Sequence, residues 1–132
     1  VVAPPASALE ALTAASQQSY EVITSEEKKL RHHVIVRKGM TVRQTYTAIG
    51  HAAGESGALG TKPNDQTIFV ALQGTVEEIE TILPKLDQRG YRYVKVIEDL
   101  PPYVGELVAV GLEPSVDNRL RKILYHFEQA GE

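Results

Sequence analysis

Val34, Ile35 and Val36 stand side by side between charged and polar residues in the run "RHHVIVRKG". β-Branched side chains fit extended backbone. A strand turns successive side chains to opposite faces, so an uninterrupted apolar run suits a strand covered on both sides. Val34 and Val36 call for one packing layer and Ile35 for another. This run argues against a sheet with one solvated face and points to an α/β fold.

The stretch after it, "GMTVRQTYTAIGHAAGES" from Gly39 to Ser56, reads as a tight connection and a helix. Thr41 and Gln44 have the spacing of a capping box. Gln44, His51 and Glu55 then share one polar helix face. Tyr46, Ile49 and Ala53, with Ala52 flanking, are expected to pack on the sheet. A polar stripe on a helix that begins just after a strand is a place for chemistry. It is equally the solvated side of an amphipathic helix, and both readings stay open on these residues alone.

Further along, "TIFVAL" reads as a strand, Thr75 and Glu78 as a second capping box, and Val76, Ile79, Leu83 and Leu86 as a buried helical stripe. Pro84 is expected to bend or divide that helix, and Gly90 to stop it. "YRYVKVIED" and "ELVAVGLEP" follow as strands joined by a short Pro-rich connection, which makes them antiparallel neighbours. Ser115 is read as the cap of a last helix with Val116, Leu120, Ile123, Leu124 and Phe127 on its core side. The expected architecture is a three-layer α/β/α domain with a mixed sheet of about four strands. Its buried sheet residues are Val34, Val36, Phe69, Ala71, Val94, Val96, Val108 and Val110. Residues 1–28 read as an arm with a short helix capped at Ser7 and separable from the core; residues 29–132 form the domain.

Composition narrows the function classes. The chain of 132 residues has no Cys, which removes disulfides, thiolate metal sites and a cysteine nucleophile. That usage fits a reducing, cytoplasmic setting. No apolar run reaches the length of a membrane span, and no signal-peptide pattern opens the sequence. A net charge of −3 gives no overall attraction to nucleic acid, so RNA binding would need a local basic patch. His32 and His33 are adjacent on a strand and point to opposite faces, so they make a poor pair of metal ligands. No metal and no cofactor is expected. The loop "GESGALGTKPNDQ" lacks the spacing of a phosphate-binding loop.

The run from Arg31 to Ser56, with Met40 and then Ile49, Gly50, His51, Ala52 and Ala53, resembles the type II peptidyl-tRNA hydrolases of archaea and eukaryotes. The resemblance continues through "VAVGLEPSVDNRLRKIL" and leaves out the N-terminal arm. It implies hydrolysis of the ester that joins a peptide to a tRNA ribose, with His51 and Asp99 as catalytic residues. Lys38, Arg43 and Gln44 would meet the substrate, and tRNA or another phosphate-bearing ligand would be the partner. A homodimer stays open, and no membrane is implied. The departures are specific. The family helix opens with Gly-Lys-Gly-Lys, whose second lysine is regarded as catalytic, and here Gln44 takes that place. The Asp-bearing loop of the family also carries a Thr-Gln pair, which "DLPPYVG" lacks. The alternative is a non-catalytic binding or assembly module that keeps the hydrolase fold.

Overall fold

The computed structural model describes residues 29–117 and 119–130, so the N-terminal arm and its Ser7 cap lie outside the described residues. The elements run β1 (Arg31–Arg37), α1 (Val42–Ser56), β2 (Ile68–Gly74), α2 (Val76–Gln88), β3 (Tyr93–Ile97), β4 (Leu107–Leu112), α3 (Leu120–Leu124) and β5 (Glu128–Gln129). Among the described residues five strands join one mixed sheet in the order β3-β4-β1-β2-β5. β1 and β2 are parallel, whereas β4 runs antiparallel to both β1 and β3. The expected four strands become five because Glu128 and Gln129 close on Gln73 and Leu72. A two-residue edge strand carries no alternation that periodicity can detect.

β1 is buried along its centre, with one cluster on each face. Val34 and Val36 meet Ala48 and Ala52 of α1, together with Val96, Val108 and Ala109. On the other face Ile35 meets Ile79, Ile82 and Leu86 of α2, Leu120, Ile123 and Leu124 of α3, and Phe127. Both capping boxes form, at Thr41 with Gln44 and at Thr75 with Glu78. Pro84 does not divide α2, which runs unbroken from Val76 to Gln88. Gly90, at φ 77°, ends it as a Schellman turn, with Tyr91 N–H donating to the Leu86 carbonyl and Gly90 N–H to that of Asp87.

Three expectations are corrected. Tyr46 is 69% exposed, and α1 buries Ala48, Ala52 and Ser56 instead. Phe69 is 46% exposed, because α1 lies over β4, β1 and β3 and leaves that side of β2 open among the described residues. Ala71 and Val94 are only partly buried. The last helix begins at Leu120 and not beside Ser115, whose N–H and carbonyl both pair with Arg31 in an extended bridge. Ser115 Oγ accepts from the Asp117 N–H in a local turn and not from a helix, and Val116 is left exposed.

The depth of α1 is set by Gly111 on β4. A Cβ there would overlap the Ala52 carbonyl oxygen and the Ser56 hydroxyl. Gly111→Ala should therefore push the helix off the sheet and cost about 2–3 kcal/mol by overpacking. Urea unfolding checks this as a lower midpoint at unchanged slope. Gly50→Ala, on the same helix but with open space around it, should not destabilise.

Candidate functional site

β1, β2 and β3 run in one direction, so their carboxyl ends share one end of the sheet. Ligands of open α/β sheets bind outside such ends. Arg37 closes β1; its guanidinium pairs with Glu106 at 3.0 Å and lies 4.6 Å over the Tyr103 ring. Lys38 follows, with Nζ 3.2 Å from Glu128 and its N–H on the Gly74 carbonyl. α1 starts here, so Arg43 and Gln44 belong to the same end. Asp99 lies in the β3–β4 connection, also at this end, where its N–H donates to Glu98 Oε1 at 3.0 Å. β3 and β1 are two strand steps apart, about 10 Å.

The topology thus gathers Lys38, Arg43, Gln44 and Asp99 along one rim. His51 sits seven residues beyond Gln44 on α1, about 10 Å further down the helix axis, with an exposed side chain. Asp99 and Arg43 are exposed as well. Gln44 is engaged: its Oε1 accepts from the Thr41 N–H at 3.0 Å while its own N–H donates to Thr41 Oγ1 at 3.2 Å. None of these five residues lines any of the four described cavities. Two cavities lie toward this end: one of about 550 Å³ between α1 and β2, lined by Met40, Tyr46, Ile49, Phe69 and Gln73 among others, and one of about 330 Å³ lined by Arg37, Glu77, Glu80 and Glu106 among others. The walls of the first are mostly apolar, whereas the second carries three glutamates and Arg37.

The buried polar chemistry sits elsewhere, on β1. His32 faces α1, and its Nε2 is 2.7 Å from Ser56 Oγ. Ser56 spends its one proton on the Ala52 carbonyl at 2.6 Å. His32 must therefore donate, which fixes the Nε2–H tautomer. Phe69 stands edge-on to the ring at 5.5 Å. His33 faces the other side, as the alternation of β1 requires. It is buried, and its Nδ1 has no hydrogen-bond partner among the described residues. No group of three or more His, Cys, Asp or Glu among the described residues could hold a metal ion, and no helix there is long and apolar enough to cross a membrane. Sequence reasoning placed the two histidines on opposite faces but gave neither a role. The signal that was available is their position at the start of a strand covered on both sides.

No family model matches the chain, and no curated protein matches it. Among solved structures it is similar to a protein of unknown function from Agrobacterium tumefaciens strain C58. The TM-score is 0.59 at 14% identity, over 78% of this chain and 98% of that one. The likeness shows a shared fold.

Burial lowers the proton affinity of His33 to a pKa of about 4 from 6.5, helped by Arg31, Arg121 and His32. Burial lowers that of His32 too. The unfolded chain then binds more protons than the folded one below pH 6.5, so stability is full above that value and is lost as pH falls toward 4. Each pH unit is worth about 1.4 kcal/mol per group. Between pH 7.5 and pH 5 the wild type should lose about 2 kcal/mol more than His33→Leu. Urea unfolding at the two pH values measures the difference, and equal losses would contradict it.

Proposed function

We propose that the chain is a non-catalytic binding module on a hydrolase-like scaffold, in which the sheet is sandwiched as three α/β/α layers. One observation carries the reading: Gln44, at the place of the catalytic lysine in the resemblance, is committed to the helix cap. It supplies no cation, and its side-chain oxygen is held by the Thr41 N–H, so the amide is anchored at the helix start. Loss of one well-placed donor at an ester-cleaving site typically costs on the order of a hundredfold to a thousandfold. Lys38 is paired with Glu128, which leaves it poorly suited to replace the missing charge. The outward placement of His51 supports the same reading.

The second reading is a divergent peptidyl-tRNA hydrolase. It is favoured by the gathering of Lys38, Arg43 and Asp99 at the carboxyl end of the sheet, where a substrate phosphate and an activated water would meet. In that reading His51 and Asp99 remain the catalytic pair, and tRNA the partner.

A peptidyl-tRNA cleavage assay separates the two. The wild type and His51→Ala should show the same background rate. Turnover that disappears in His51→Ala would establish the hydrolase. A gain confined to Gln44→Lys would show that the missing cation is what silences the scaffold.

A further inference from the structure

The amino ends of β1 and β2 enclose a second cavity, about 450 Å³, on the face opposite α1. Its floor follows from register: Arg31 pairs with Ile68 and His33 with Val70, and all four side chains share the side that carries Ile35 and Leu72. α3 forms the wall, through Arg121 and Leu124 one turn apart. Tyr125, 82% exposed, stands at the mouth. The volume suits a small ligand.

We propose that this cavity binds a small organic oxyanion, a carboxylate or a phosphate ester, carried on an apolar body. Two guanidinium groups line it, and no carboxylate lines it among the described residues. The imidazole of His33 lines it too, is 6% exposed, and brings a nitrogen for which the described chain offers no partner. A buried polar atom left unpaired costs about 1–3 kcal/mol. That nitrogen is sealed from solvent; with a small turn of the ring toward the cavity, an oxyanion lodged beside the two arginines would recover that cost by accepting from the imidazole. Guanidinium forks suit carboxylate and phosphate oxygens, and the charge-assisted bonds are strong ones. Ile68, Val70 and Leu124 give the body of the ligand an apolar bed. The charged and titratable groups around His33 are Arg31 on its own face of β1, Arg121 from α3 and, through the strand on the opposite face, His32, with Tyr125 at the cavity mouth. All but Tyr125 oppose its protonation. An anion would reverse that field, so binding and proton uptake at His33 are linked. The inference is independent of what happens at the carboxyl end of the sheet.

Two sources can supply such an oxyanion: a free small molecule, or the carboxylates of Glu26 and Glu27, which precede β1 in the sequence. Histidine side-chain NMR of the full chain distinguishes them, with benzoate as the apolar carboxylate and inorganic phosphate as the bare anion. Saturable shifts at His33, a rise of its pKa by at least one unit and no response at His51 are expected with benzoate. Phosphate should bind at least tenfold more weakly. Arg121→Gln should weaken benzoate at least tenfold, and Arg121→Lys should recover part of it. Benzoate binding seen only after Glu26→Gln and Glu27→Gln would assign the same pocket to an internal carboxylate. An unresponsive His33 in both the wild type and that double variant would overturn the proposal. So would unchanged benzoate affinity in Arg121→Gln.

Discussion

The close approach of α1 to β4 over Gly111 fixes the rest of the arrangement. Only a residue without a side chain leaves room for the Ala52 carbonyl and the Ser56 hydroxyl at that point. Ala48, Ala52 and Ser56 form the line of small residues on α1 that enters there, so the helix sits deep. The resulting rotation sends His51 and Tyr46 outward. It also brings Ser56 within reach of His32, so a packing constraint and a hydrogen bond select the same geometry. Close packing makes such a seat intolerant of even one extra methyl group.

β1 is the second fixed part. Its apolar centre needs two layers, and its amino end carries two histidines into the same two layers. They meet different fates. His32 finds a hydroxyl that has already given away its proton. His33 finds two arginines and a cavity. Burial removes the charge from both, which makes them sensors of acidity for the fold. The carboxyl end of the sheet collects charges, several of them already paired, such as Lys38 with Glu128 and Arg37 with Glu106.

Much of this was legible in the sequence. The triple apolar run, the two capping boxes and Gly90 placed the helices and the central strands, because each rests on a local rule that tertiary contacts did not override. The rotation of α1 was misread because hydrophobicity favours Tyr46, whereas the seat at Gly111 selects for smallness. The repeat of Ala48, Ala52 and Ser56 was the signal, and it has meaning only beside a glycine far away in the chain. Ser115 looked like a cap, and its long-range pairing with Arg31 overrode that local preference. Of the candidate site, the shared end of Lys38, Arg43, Gln44 and Asp99 follows from strand order. The cavity at His33 does not, since it needs the register of β1 on β2 and the placement of α3.

The rotation of α1 sets which histidines reach solvent, and diethyl pyrocarbonate labelling at neutral pH reads it directly, histidine by histidine. The reagent attacks uncharged imidazole, so the lowered proton affinities of His32 and His33 would favour their reaction if solvent reached them. Peptide mass spectrometry should find His51 and His126 modified quickly and His32 and His33 protected until the chain unfolds. A protected His51 would place it in a closed site, and the non-catalytic reading built on its exposure would be contradicted.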